Sequence, residues 1–325
     1  MTRSIRQSEQ ILAWTEEGVL NADQLSALAE NESLVPDSAL WRAFIERVAT
    51  LAGVVLIAVG VIFFFAWNWA DMHRFAKLAL AMAGLSGFTA LAALAAPFAT
   101  LYRAALLGCC IATGALLALI GQIYQTGADI WQLFAVWVAL IIPWVVISGS
   151  NACWGFFWAL GNFAVVVFFA QSQWQGLYAG LPGYQALLVL ALANGALLLM
   201  FEYFGTRLLT YPTRTVQRLA CLGVLTPLGW GASTAWWVND FRVLLPIFLI
   251  VGLIILLFYL RQRRDLPILA MVLFWLIFVV SVGLVRVSMQ AQAAFFLFNG
   301  IGLFVLVSSG LAALWLNRLA RELRT

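Results

Sequence analysis

The sequence predicts an all-α polytopic membrane protein of about ten transmembrane helices preceded by a short cytoplasmic helical hairpin. Three observations carry this. First, hydrophobic residues make up 64% of the 325 positions and charged ones 10%, against about 25% charged in soluble domains. Second, mean hydropathy is +0.97 over the whole length. A water-soluble chain needs polar surface, so this excess faces lipid, and only helices or a closed barrel satisfy every backbone group there. Third, the apolar runs are continuous for roughly 18–24 residues, the length that crosses a hydrocarbon core. Barrel strands would instead alternate apolar and polar residues.

Charge excludes other classes. The net charge is +4, and of the 18 basic residues only Lys77 is not arginine. The arginines sit at the ends of apolar runs, a distribution that sets membrane topology rather than one that binds nucleic acid. Residues 1–50 are polar and acidic, without the basic, apolar and small-residue pattern of a cleaved leader. Cys109, Cys110, Cys153 and Cys221 have no zinc or redox spacing and read as buried thiols.

Residues 1–47 form a polar segment that holds eight of the fourteen acids. Ile5, Ile11, Leu12 and Trp14 give a first helix an apolar face, and Gly18 suits its end. Asn21 with Gln24 three residues on resembles a capping box opening a second helix with Leu25 and Leu28. Pro36-Asp37-Ser38 starts a third, in which Trp41, Phe44, Ile45 and Val48 fall at i, i+3, i+4 and i+7. This stripe predicts an interfacial helix that continues into the membrane.

Residues 48–316 form the transmembrane bundle, and 317–325 a basic cytoplasmic tail. The spans are expected at about 48–67, 75–96, 104–121, 131–148, 152–170, 184–203, 217–237, 243–260, 266–286 and 293–316. With the N-terminus inside, inner segments hold fourteen of the basic residues; outer ones hold only Arg74, Lys77, Arg242 and Arg286. That bias fixes both termini as cytoplasmic and implies a bacterial inner (plasma) membrane location. The count depends on Ser148-Gly149-Ser150-Asn151 turning the chain between two spans. Gly108, Gly114, Ala112, Ala115 and Ala118 in the third span, and Gly53 and Gly60 in the first, read as small-residue faces inside a bundle. No five-plus-five internal repeat is evident.

Two polar islands, 67–74 and 121–129, emerge on the expected outer side. Asn68, Asp71, His73 and Arg74 from one, and Gln122, Tyr124, Gln125 and Asp129 from the other, are the candidate lining of an outer polar pocket. An acid in apolar sequence usually faces a cavity or a partner. Asp129 before Ile130-Trp131-Gln132 also fits a helix N-cap, and both readings stay open. Asp71 and Arg74, three apart, are spaced to pair. Trp67, Trp69 and Trp131 read as interfacial anchors. His73 is the single histidine, which excludes a clustered zinc site. Glu202 is expected to pair with Arg207 at the inner end of the sixth span. The 261–264 basic loop reads as a topology determinant that also attracts anionic headgroups. Asn162, Asn194 and Asn299 are expected to hydrogen-bond between helices.

No nucleophile elbow, His-Glu-x-x-His or phosphate-binding loop occurs. Gly127-Ala128-Asp129 lacks the preceding glycine of an intramembrane aspartyl protease motif, because residue 126 is Thr. Paired catalytic groups do not assemble, so no catalytic residue, cofactor or metal is assigned.

The hairpin 11–24, the first span ending Phe64-Phe65-Ala66-Trp67-Asn68-Trp69, and the Gly121-Gln122-Ile123-Tyr124-Gln125 island together resemble an uncharacterised bacterial polytopic family named domain of unknown function 2157. The resemblance covers roughly residues 5–150. Similar proteins are often encoded beside another uncharacterised membrane domain and a protein with a Gly-Asp-Tyr signature. The resemblance therefore implies neighbouring membrane proteins in a complex, alongside membrane lipid, as partners; it carries over no catalytic residue. The reading is a non-enzymatic component, sensor or scaffold, of an envelope complex. The alternative is a transporter or flippase for a small polar or amphiphilic solute, using the pocket at Asp129.

Overall fold

The computed structural model describes residues 38–67, 73–125, 127, 129–172, 183–211, 213–290 and 294–322. The expected hairpin, Asn68, Trp69, Asp71 and residues 323–325 lie outside the described residues.

Ten long helices follow one another: α1 (Ser38–Trp67), α2 (Arg74–Leu94), α3 (Thr100–Tyr124), α4 (Ile130–Ser148), α5 (Asn151–Ser172), α6 (Tyr184–Leu208), α7 (Thr215–Thr234), α8 (Leu244–Arg261), α9 (Leu266–Gln290) and α10 (Ala294–Glu322). Among the described residues no strand accompanies them; one 3-10 turn, Asn239–Phe241, lies between α7 and α8. The ten helices coincide with the ten expected spans. Among the described residues nine of them are long and apolar enough to cross a membrane.

The exception is α7, and its position explains its composition. Its 20 residues include Ala220, Cys221, Gly223, Gly229, Gly231 and Ala232, small side chains that let neighbouring helices approach. It packs against α5, α6, α8 and α9. A Cβ added at Gly223 would strike Asn194 of α6, one at Gly229 would strike Trp275 of α9, and one at Gly231 would strike Leu244 of α8. A helix enclosed by protein does not need lipid-facing leucines, so hydropathy understates it.

The first half is built the same way around α3, which packs against α1, α2, α4 and α5. Gly108 of α3 lies under the ring of Phe88 of α2, and Gly114 under Trp137 of α4. The Trp137 indole nitrogen donates to the Cys110 carbonyl at 2.8 Å. The two cores meet where α5 touches α7 and α6, and Leu197 packs against both. All four cysteines are buried and free.

The turn on which the span count depends is present and held by side-chain and backbone hydrogen bonds. Gly149 takes φ 54°, a left-handed conformation that glycine adopts without Cβ strain. The Ser148 hydroxyl donates to the Val145 carbonyl at 2.7 Å and accepts from Ser150 N at 3.1 Å. The Ser150 hydroxyl accepts from Ala152 N at 3.2 Å, the N-cap contact that starts α5. Thr210 N, in the α6–α7 loop, donates to the Gly149 carbonyl at 3.1 Å.

At the periphery, α1 is one continuous helix of 30 residues. The expected boundary at 47/48 falls inside it, so the amphipathic stripe and the first span are a single rod. Gly53 and Gly60 correct an expectation: nothing lies within 4 Å of a Cβ added at either, so they are not in a bundle interior. Among its described side chains only Val54 and Ala58 are buried, on the side where α3 packs.

Candidate functional site

The described candidate residues of the two polar islands, His73, Arg74, Gln122, Tyr124, Gln125 and Asp129, lie near one end of the bundle. The start of α2 and the end of α3 are brought together there by Leu78, Ala81, Leu116, Leu119 and Ile123, with Val61 of α1. His73 holds the N-cap position of α2, its Nδ1 accepting from Phe75 N at 3.4 Å. Arg74 extends over the Phe75 ring at 5.1 Å. Gln122, Tyr124 and Gln125 close α3 and are exposed; Gln125 ends the helix with φ 44°. Lys77, read as an outer-loop cation, is buried in the first turn of α2 at 8% exposure.

Asp129 occupies the N-cap position of α4. Its backbone carbonyl accepts from Gln132 N at 3.0 Å, but its side chain makes no cap hydrogen bond. The first-turn amide of Trp131 donates instead to Gln171 Oε1 of α5 at 3.4 Å. The Asp129 side chain is exposed. A carboxylate in that position adds negative charge at the positive end of the α4 dipole without fixing a geometry.

The opposite end holds what sequence spacing missed. Glu202, near the end of α6, is expected to pair with Arg207. It pairs instead with Arg214, which donates Nη2 to Glu202 Oε1 at 2.6 Å, and its Oε2 lies 3.7 Å from Arg263 Nε. The Tyr259 hydroxyl of α8 donates to the same Oε1 at 2.6 Å. Asp265, just before α9, takes Arg214 Nε at 3.0 Å and Arg218 Nε at 3.2 Å. The two carboxylate side chains are 5% and 1% exposed, whereas the arginines are 26–54% exposed. The reason is geometric. Arg207, on the last turn of α6, is exposed, while the short loop to α7 carries Arg214 over Glu202. Arg214 also donates Nη1 to the Arg263 carbonyl at 3.0 Å, so the 261–264 loop is tied down on the bundle.

Chemically, this cluster is a latch. Removing one partner of a buried pair leaves a charge without compensation, a cost of about 3–5 kcal/mol. Here two acids hold three arginines and a tyrosine, joining the ends of α6, α7, α8 and α9. Among the described residues, no three His, Cys, Asp or Glu side chains converge to hold a metal.

A second polar group lies in mid-helix between α5 and α6. Asn194 Nδ2 donates to Asn162 Oδ1 at 2.6 Å and to the Leu190 carbonyl at 2.8 Å. Its Oδ1 accepts from Trp158 Nε1 at 2.6 Å. The expectation that Asn162 and Asn194 bond between helices is met, and the Trp158 partner is new.

These helices and their inward polar contacts define the class: an α-helical integral membrane protein that crosses the bilayer many times. Residues 12–154, from the N-terminal polar segment into the start of α5, match the model of a family described as "Predicted membrane protein (DUF2157)". The stretch that carries the sequence resemblance is thus the stretch that matches. No curated protein and no solved structure matches the chain.

Proposed function

We propose that the chain is a non-enzymatic component, sensor or scaffold, of a membrane complex, docking to its partners through α1 and the polar segment before it. The observation that carries this reading is the apolar surface of α1 left exposed among the described residues. Leu40, Trp41, Phe44, Ile45 and Val48 are each at least half exposed, and the space around Gly53 and Gly60 is open. Small residues on a lipid-facing helix allow a second backbone to approach closely. The amphipathic stripe before them suits an interfacial or protein surface. The latch at the Arg-rich end supports a rigid body rather than a moving one. The arginine bias further supports a bacterial inner membrane with both termini cytoplasmic, the Arg-rich end facing inward.

The alternative, a transporter or flippase using the outer polar pocket at Asp129, calls for these side chains to line a water-filled cavity that reaches toward the midplane. Gln122, Tyr124, Gln125 and Asp129 are exposed, which fits an open surface as well as an outward-facing pocket, and the open face of α1 favours the scaffold reading.

The test is affinity purification in mild detergent, comparing the full chain with a form lacking residues 1–47. Loss of specific co-purifying membrane proteins is expected on truncation. An unchanged set of partners counts against the docking role.

A further inference from the structure

Helices α5 and α6 pack weakly on each other because each is drawn to other neighbours, α5 to α4 and α6 to α7. The gap between them is an apolar slot. Toward the Arg-rich end it has a volume of about 420 Å³ and is walled by Val145, Trp154, Met200 and Leu208. Toward mid-helix it continues for about 250 Å³ to the Asn162–Asn194 pair. Phe157, Ala193 and Leu197 line both parts, so they are one slot. Ala193 and Ala196 on its wall are exposed, so it opens sideways to the bilayer.

Its mouth is positively charged. Arg207 follows Met200 by seven residues, which puts it within about 20° of Met200 around α6. It is exposed and takes no part in the ionic latch. Arg103, in the first turn of α3, lies on the other side. Its carbonyl is 3.9 Å from Cys153 Sγ, the residue before Trp154. Its Nε and Nη2 are buried without an acceptor, and its guanidinium stacks on the Tyr211 ring at 4.5 Å. Trp154 itself is 4% exposed and its indole nitrogen also has no acceptor. Glu202 and Asp265, the buried acids of this end, are committed to other arginines. Two guanidinium groups that form no ion pair among the described residues thus flank an apolar slot at the membrane edge.

We propose that this slot is a binding site for an anionic phospholipid, one acyl chain lying between α5 and α6 and the phosphate at Arg207 and Arg103. The slot supplies apolar contact along its length, and the mouth supplies charge complementarity. A zwitterionic lipid fits the slot equally well but gains less at the mouth, because its own cation offsets the phosphate.

The test is native mass spectrometry of the purified full chain from mixed micelles containing phosphatidylglycerol or phosphatidylcholine of matched acyl chains. The wild-type chain is expected to retain phosphatidylglycerol about tenfold more than phosphatidylcholine. Arg207→Gln is expected to reduce that preference to about twofold. Ala196→Trp, which plugs the slot from its exposed wall, is expected to lose both lipids, and Ala193→Phe serves as a second plug should the first fail to fold. Equal retention of the two lipids by the wild-type chain overturns the site. Undiminished phosphatidylglycerol retention in a folded plugged variant also overturns it, because the lipid is then held on the surface alone.

Discussion

Arg214 donates to Glu202 Oε1 at 2.6 Å across the α6–α7 loop, and the same oxygen accepts the Tyr259 hydroxyl at 2.6 Å from α8. With the Glu202 side chain 5% exposed, this contact is screened little by solvent. Glu202→Ala is expected to destabilise the bundle by about 2–4 kcal/mol, since it removes the acceptor of Arg214 Nη2 and of the Tyr259 hydroxyl while Arg214 keeps Asp265. Tyr259→Phe is expected to cost about 1–2 kcal/mol. Thermal unfolding in detergent orders the variants, and a Glu202→Ala chain as stable as Tyr259→Phe contradicts the latch.

Glycines in the two halves are predicted to behave oppositely to those on α1. Gly114→Ala and Gly223→Ala drive a methyl group into Trp137 and Asn194, and overpacking of this kind costs about 1–3 kcal/mol. Gly53→Ala and Gly60→Ala meet open space and are expected to leave the stability of the isolated chain unchanged or slightly raised. The same unfolding measurement separates the two classes.

Asn194→Leu removes the partner of Trp158 Nε1 and of Asn162. Interhelical hydrogen bonds in membranes contribute about 0.6–2 kcal/mol, so a loss of that order is expected. Asn162→Leu leaves the Trp158 contact in place and is expected to cost less. Equal losses in the two variants would show that Trp158 contributes nothing.

Cys109, Cys110, Cys153 and Cys221 are each 0% exposed, so the native chain is expected to resist a membrane-impermeant maleimide. Gln262→Cys, in the exposed Arg-rich loop, is expected to label only when the cytoplasmic face is accessible. Gly127→Cys, in the exposed opposite loop, is expected to label in intact cells. The reverse pattern inverts the proposed orientation.

Most of the helical scaffold was legible because lipid imposes a strict length and composition on each span. The Ser148–Asn151 turn was legible for the same reason: four small or polar residues interrupt nearly forty apolar ones. The Glu202 pairing was not, because i, i+5 spacing suggested Arg207 while the loop fold delivers Arg214. Nor could the sequence separate Gly53 from Gly114. Both are glycines in apolar helices, and only tertiary packing decides which has a tryptophan over it. Asp129 carried an N-cap signature that the backbone fulfils and the side chain does not, since Gln171 reaches the Trp131 amide from a distant part of the chain.

The docking role of α1 is tested most directly by site-specific photocrosslinking within the native membrane. A photoreactive residue is placed in turn along α1, from the buried Val54 and Ala58 to the exposed Leu56, Ile57, Gly60 and Phe63. The account predicts crosslinks to a second polypeptide from Ile57 and Gly60 with helical periodicity, and crosslinks within the chain from Val54 and Ala58. Crosslinks to lipid alone at every exposed position would contradict it.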